Sequence, residues 1–271
     1  MIECTYGLQK RLDFLGKLIS TTQPERVLDV GCGTGANLTE RLAQQFPHSN
    51  FIGIDSDASS IAFANRQRLA DNVQYFVETA ADAIGLFDLV IASEVIEHVE
   101  DPLAFFKFLR GRLTATGCVV LTLPNGYGPY ELASLFETLM HLSGVYWVLL
   151  AIKRLVIQKP TTSASVDTLA ISPHINFFSY FVIRALIDAS GFRVTQFLPR
   201  TFLCGFGFDH LIRSKQLIAW NAKVPDRLPA QCASAWMFVL TPAQSTSDFI
   251  YKRNYGARLR RYLNEKRWKL R

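Results

Sequence analysis

No hydrophobic run in this chain is long enough to cross a bilayer. The greasiest stretch, LSGVYWVLLAI at residues 142–152, goes eleven residues without a charge before Lys153 and Arg154, whereas a spanning helix needs about 20 apolar residues. Near the start stand Glu3, Lys10, Arg11 and Asp13, where a secretory signal would need an apolar core, so a cytoplasmic protein is expected. Cysteine is scarce, five in 271 residues, and none is paired in a CxxC spacing. Cys4, Cys32, Cys118, Cys204 and Cys232 are expected as reduced, buried thiols rather than a metal or disulfide framework. The pattern GxxxxGK[ST] is absent, which argues against a P-loop nucleotide site. Basic charge is also missing from the body. Residues 252–271 hold nine of the 29 Lys and Arg and one of the 23 Asp and Glu, which leaves 20 cations against 22 acids elsewhere. The body therefore offers no basic nucleic-acid surface.

What the sequence does have is RVLDVGCGTGANL at residues 26–38. Val27, Leu28 and Val30 read as a buried strand of a parallel sheet. Gly31, Gly33 and Gly35 permit a sharp turn and close approach of another group to the main chain. Helical spacing of Leu38, Leu42 and Phe46 then predicts a helix over 36–46, whose free N–H groups point into the turn. Alternation continues along the chain, with a helix over 8–20 and strands at 26–31, 51–55, 73–77, 87–92 and 118–123. A helix over 58–70 and one starting at Asp101-Pro102 lie between them. A helix over 179–190 is closed by Gly191, and strands follow at 192–198 and 234–240. No full helix is expected between those last two, which suggests an antiparallel hairpin at the sheet edge. The fold class is α/β: a Rossmann-like, seven-stranded, mostly parallel sheet with an antiparallel C-terminal hairpin. One domain over 1–271 is expected, with a helical cover insertion at 126–172 after the fifth strand and a basic tail at 250–271.

The glycine spacing is GxGxG rather than the dinucleotide GxGxxG, with Asp29 two residues ahead of Gly31. Asp55 ends the second strand, where a carboxylate can accept from both hydroxyls of a ribose. Together, VLDVGCGTG, GIDSD, FDLVIASEVIEHVEDP, GCVVLTLPN and HINFFS…LIDASGFRV resemble the class I S-adenosylmethionine-dependent methyltransferases in order and spacing over most of residues 24–198. The resemblance implies S-adenosyl-L-methionine as cofactor. By it Gly31, Gly33 and Gly35 hold the methionine end, with Asp29 near its amino group. Asp55 takes the ribose, Ser56 lies near the adenine edge, and Ala81 or Asp82 meets the adenine amine. Ser93 and Glu94 face the sulfonium. A fold member that binds the cofactor without transferring methyl is the alternative.

NPPY-type nitrogen signatures are absent, which by itself excludes nothing; the histidines and the family resemblance together imply an oxygen acceptor. His98 and His174 are the candidates to remove its proton; His48 and His141 look structural or surface. Glu94, Glu97 and His98 fall at i, i+3 and i+4, one face of a helical turn. With His174 they resemble the set that binds a divalent ion in small-RNA 2′-O-methyltransferases, and ubiquinone-pathway O-methyltransferases carry a similar E-x-x-E-H stretch. The other reading is that this turn positions the cofactor and caps a helix, with no metal.

The acceptor has to be read from what is added to the common core. The apolar insertion at 130–158 is either a lid or an interfacial helix lying in a membrane surface. RTFLCGFGFDHLIRS, from Arg200 to Ser214, adds aromatics that line an apolar pocket or pack beneath a loop. The tail interleaves its cations with Tyr251, Tyr255, Tyr262 and Trp268, a composition suited to anionic headgroups, to a phosphate backbone, or to a frayed end. A small-molecule or lipid-linked acceptor, with peripheral attachment to an anionic membrane, is the expectation. An RNA-directed 2′-O-methyltransferase is the alternative, with nucleic acid disfavoured by the body's charge.

Overall fold

A computed structural model describes residues 5–78, 85–147, 173–204, 212, 214–245 and 248–269. Helix α1 (Thr5–Thr22) leads into β1 (Arg26–Val30), α2 (Thr39–Gln45), β2 (Asn50–Asp55), α3 (Ala58–Gln67) and β3 (Val73–Val77). Then come β4 (Phe87–Ser93), α4 (Pro102–Gly111), β5 (Leu113–Pro124) and α5 (Pro129–Leu142). The last part holds α6 (Tyr180–Ala189), β6 (Phe192–Pro199), α7 (Lys215–Lys223), β7 (Ala235–Pro242) and α8 (Tyr255–Lys269). The strands form one seven-stranded sheet in the order β3-β2-β1-β4-β5-β7-β6. The pairs from β3 to β5 are parallel, and β7 runs antiparallel to both β5 and β6.

Local chemistry explains most boundaries. Asp101 caps α4, its carboxylate accepting the N–H groups of Leu103 and Ala104, with Pro102 in the first turn. Ser179 caps α6, and Gly191 follows it at φ +74°. Two helices are shorter than their spacing suggests. α2 begins at Thr39 rather than Ala36, because the Thr39 hydroxyl donates to the buried Asp29 carboxylate at 2.6 Å and the Glu40 N–H donates back to Gly35 O. α3 stops at Gln67, because the N–H groups of Leu69 and Ala70 donate to Glu40 Oε1 at 2.9 and 2.7 Å instead of continuing the helix.

The C-terminal strands form the expected antiparallel pair at the sheet edge, but with a helix between them in the chain. The helix α7 lies between β6 and β7, and β7 is inserted between β5 and β6, so β6 alone forms the edge. Every residue of β7 from Ala235 to Leu240 is buried, which suits a strand covered on both faces. Of the four described cysteines, Cys204 is buried and Cys32, Cys118 and Cys232 are partly exposed. The basic segment is no frayed end: it forms α8, seated against α5. Among the described residues no helix is long and apolar enough to cross a membrane. Residues 148–152 of the apolar stretch, and most of 205–213, lie outside the described residues.

The glycine turn after β1 is crowded by the protein itself. At Gly35 (φ +70°) an added Cβ would stand 2.4 Å from the Tyr75 hydroxyl, and at Gly31 (φ +71°) 2.4 Å from a Val95 methyl. Tyr75 is not free to yield, since its hydroxyl donates to Glu40 Oε2 at 3.1 Å. Left-handed strain and overpacking then act together in Gly35→Ala, which should lose about 2–4 kcal/mol of stability. Urea denaturation is the measurement, and an unchanged midpoint would show that Tyr75 swings aside at no cost.

Candidate active site

The strand order reverses between β1 and β4, and in an open α/β sheet ligands bind outside the carboxyl ends of the strands at such a point. Two turns line this crevice, the glycine turn after β1 and residues 94–98 after β4. They touch through Val95 on Gly31.

The glycine turn is pinned from β2. The N–H groups of Gly31 and Cys32 both donate to Ile54 O, at 2.8 and 3.0 Å. Asp55 accepts the Gly33 N–H on Oδ2 and the Asp57 N–H on Oδ1, each at 2.8 Å. All three glycines have positive φ, with Gly33 at +55°. Asp55 thus does more than the sequence suggests: it holds the turn in shape while sitting at the strand tip. Two of the roughly four acceptor positions of a carboxylate are used, so others are left for a ligand. Asp29 is 2% exposed and anchors α2 through Thr39, and Ser56 is exposed beside Asp55. Ala81 and Asp82 lie outside the described residues.

After β4 a directed chain of hydrogen bonds fixes the second turn. Thr122 of β5 gives its hydroxyl proton to Glu94 Oε1 at 3.1 Å. With that proton used, Ser93 donates to Thr122 at 2.8 Å, and Arg11 of α1 donates to Ser93 at 2.6 Å. Arg200, at the end of β6, donates to the same Glu94 oxygen at 3.1 Å. Burial alone would raise the Glu94 carboxyl, but Arg200 and Arg11 outweigh it and hold it below the usual carboxylate range. Glu94 also sits at φ +59°, an uncommon conformation for a residue with a Cβ. Residues 94–98 are a turn rather than a helix, so the expected i, i+3, i+4 face does not form and Glu94 points to Arg200. The four-residue set suggested by the sequence is corrected to three.

Those three are Glu97, His98 and His174, whose ligand-type atoms all lie within 4.8 Å of one another. Glu97 is 1% exposed, and neither of its carboxylate oxygens has a hydrogen-bond partner among the described residues. Burial and then the Glu94 charge push its carboxyl up to about 8. Its backbone carbonyl accepts the N–H groups of Ile175 and Asn176, which ties the 173–178 segment to the turn. The His98 ring stands edge-on to His174 with centroids 4.8 Å apart. His98 Nδ1 lies 3.1 Å from Pro173 O. A carbonyl can only accept, so Nδ1 carries the hydrogen and Nε2 is the lone-pair nitrogen. Burial, then the charge on His174, lower the His98 pKa to about 4. His174 goes the other way: burial opposes its charge, but Glu131, 2.6 Å from Nδ1, raises it to about 9.

A buried carboxylate with both oxygens unpartnered, flanked by two imidazoles, is a donor set that fits a divalent cation. Glu131 stands behind His174 as the outer partner that such histidines use. Glu131, Arg200, Arg11 and Arg260 were not singled out by sequence reasoning. In the sequence Glu131 is only one residue of the apolar insertion at 130–158, and Arg260 one of nine similar cations. His141 is indeed structural, stacked on Tyr146 with ring centroids 3.7 Å apart.

The family described as a methyltransferase domain matches residues 4–197 of this chain. The ubiquinone biosynthesis O-methyltransferase of Rhodopseudomonas palustris (strain TIE-1) is 35% identical over 124 residues, which are 43% of this chain and 47% of that protein. The trans-aconitate 2-methyltransferase of Afipia carboxidovorans is 33% identical over 113 residues, 40% of this chain and 41% of that protein. The chain thus spans about half the length of the curated relatives it matches. Among solved structures, the methyltransferase domain of bacterial CtHen1-C superposes with a TM-score of 0.52 at 16% identity, over 87% of this chain and 99% of that one. PKMT2 from Rickettsia typhi gives 0.54 at 15% identity, over 95% of this chain and 57% of that one. At such identities the likeness speaks for the fold. The matched region takes in the glycine turn, Asp55 and the turn after β4, and with it the chain belongs to the methyltransferase-domain family, whose class I members draw their methyl group from S-adenosylmethionine.

Proposed function

We propose that this protein is an S-adenosylmethionine-dependent O-methyltransferase whose acceptor is an apolar or lipid-linked small molecule. The observation that carries the reading is the buried Glu97, His98 and His174 cluster at the end of β4, joined through Val95 to the glycine turn. A cluster able to take a hydroxyl proton says more about the reaction than the glycine turn alone, which any cofactor binder needs.

In this reading the methionine end of the cofactor lies on the turn of Gly31, Gly33 and Gly35, with Asp29 beneath it. Asp55 takes the ribose hydroxyls on its remaining acceptor positions. Ser56, with Ala81 or Asp82, borders the adenine. Glu94, kept ionised by Arg200 and Arg11, presents negative charge to the sulfonium, while Ser93 serves mainly to position it. Methyl transfer is an in-line displacement. The acceptor oxygen bonds to the methyl carbon as the carbon–sulfur bond breaks, S-adenosylhomocysteine is left, and the acceptor's proton must go elsewhere. His98 is kept neutral, and its lone pair on Nε2 is the one to take that proton. Glu97, His98 and His174 are also the residues that would hold a divalent cation, and such an ion lowers the pKa of a hydroxyl bound to it.

Two surfaces support an apolar acceptor met at a membrane. Leu132, Phe136 and Leu139 make an exposed i, i+4, i+7 stripe on α5, and Val145 and Trp147 continue it. On α8 and just before it, Lys252, Arg258, Lys266 and Lys269 are exposed, and cations near an anionic surface contribute about 1 kcal/mol each. The names of the ubiquinone O-methyltransferase relatives fit the same acceptor class. We place the protein in the cytoplasm, peripheral to the inner membrane face, as one domain.

Three outcomes are expected. Asp55→Ala should weaken S-adenosylhomocysteine binding by roughly 10- to 150-fold, the worth of a hydrogen bond to a charged group; equal affinity by calorimetry would remove Asp55 from the site. With isotopically labelled cofactor and lipid, glycan and RNA fractions, label should enter the lipid fraction, and His98→Gln should lower that transfer by about 10²- to 10⁴-fold. Label confined to RNA would overturn the acceptor class. In co-sedimentation with anionic vesicles, the unaltered protein should bind at low salt and be released as salt screens the contact over about 8 Å at physiological ionic strength. Replacing Lys252, Arg258, Lys266 and Lys269 together by Gln should weaken that binding, and no binding by either form would point to a soluble acceptor.

A further inference from the structure

The C-terminal helix reaches the cluster. Asn264 Nδ2 donates to His174 O at 3.3 Å. Arg260, 9% exposed, lies with its guanidinium 3.9 Å over the Phe177 ring and donates Nη1 to Gly126 O. Its Nη2 donates to Glu131 O at 3.1 Å and to Glu131 Oε2 at 2.7 Å. The other oxygen of the same carboxylate, Oε1, meets His174 Nδ1 at 2.6 Å. One buried carboxylate is therefore divided between the C-terminal helix and an active-site histidine. Further along, Arg267 donates to Glu137 Oε1 at 2.6 Å and to Thr138 Oγ1 at 3.0 Å. Before the helix, Tyr251 and Arg253 both donate to Asn176 Oδ1, at 3.2 and 2.8 Å. Asn176 in turn donates to Ile96 O and Val99 O, on either side of Glu97 and His98.

These contacts are not equal. Arg261 and Arg253 pair with Glu100, whose side chain is 65% exposed, and exposed pairs contribute little. The Arg260–Glu131 pair is buried on both sides. Removing one partner of a buried pair leaves the other charge uncompensated, and here the group left behind is the one bonded to His174.

We propose that α8 is a positioning element of the active site: Arg260 orients Glu131, Glu131 orients His174, and the Glu97, His98 and His174 cluster is assembled only while the C-terminal helix is seated on α5. The proposal rests on the reading of that cluster as the seat of the chemistry. It assigns to Arg260 no contact with substrate.

The test uses the full-length, ligand-free protein with ¹⁵N-labelled histidine, reading ring proton–nitrogen correlations. The His174 signal is identified by its loss in His174→Gln. A downfield Nδ1–H signal from the short bond to Glu131 is expected, displaced or lost in Arg260→Met, and returned toward its place in Arg260→Lys. In Arg261→Ala, which removes a cation of the same helix paired to Glu100, the signal should stay. Asn264→Ala loses the part-buried hydrogen bond to His174 O and a long one from the Thr138 hydroxyl, and is the mild variant; it should shift the signal in the same sense by less. Calorimetric affinity for S-adenosylhomocysteine should be the same in every variant, which a general loss of fold would not allow. A His174 signal unmoved in folded Arg260→Met, or moved as far by Arg261→Ala, overturns the proposal. Should Arg260→Met fail to fold, an unmoved signal in Asn264→Ala overturns it equally. Failure of the unaltered protein to bind S-adenosylhomocysteine would instead defeat the methyltransferase reading, a result separate from the ring signal.

Discussion

Glu131 is 2% exposed and ionic partners meet it from two sides, His174 at one oxygen and Arg260 at the other. Three stretches far apart in sequence come together on this carboxylate: the start of α5, the 173–178 segment and the C-terminal helix. A carboxylate placed so deep is stable only when its lone pairs are occupied by strong donors. The position of α5 and the placement of His174 both follow from satisfying it. The glycine side of the crevice is built the same way around Asp55, which meets backbone N–H groups instead of charged side chains. The glycine-turn side is thus set within β1 and β2, while the histidine cluster is assembled across the whole length of the chain.

That difference decides what could be read from the sequence. β3 over Val73–Val77, the Asp101 cap and the Ser179–Gly191 frame of α6 are local matters of period and capping, and the residues themselves announce them. The glycine turn, Asp29 and Asp55 are legible because turn and strand tip are adjacent in sequence. Glu97 and His98 were found by spacing, although the helical face that drew attention to them does not exist; they meet because a turn folds them toward His174. The partnership of Glu131 with Arg260 spans 129 residues, and no periodicity links positions so far apart. Glu94 shows the same limit from the other side, since its removal from the cluster depends on Arg200, 106 residues away. Helix α7 escaped notice because KQLIAWNAK buries only Asn221, leaving no clear apolar stripe.

Charge counting carried a similar blind spot. Nine cations in twenty residues suggest a free polycation. In the fold, Arg253, Arg260, Arg261 and Arg267 pair with Glu100, Glu131, Glu137 and Glu265. Among the described residues what remains exposed is a smaller set, Lys252, Arg258, Lys266 and Lys269. The helix therefore divides its charge between an inner row that binds the protein and an outer row that faces solvent. Arginine dominates the inner row and lysine the outer one, as expected when forked donors are wanted for carboxylates and point charges suffice at a surface.

The insertion of β7 between β5 and β6 has a consequence for how the molecule comes into being. A nascent chain emerges N-terminal end first, and β6 has no sheet neighbour other than β7. Residues 192–199 must therefore wait, unpaired, for residues 235–242 to leave the ribosome, while β1 to β5 can already pair among themselves. Arg260 comes later still. The glycine turn is formed during synthesis well before the histidine cluster is, so a ribosome-bound intermediate of this protein would hold that turn complete and the cluster unbuilt.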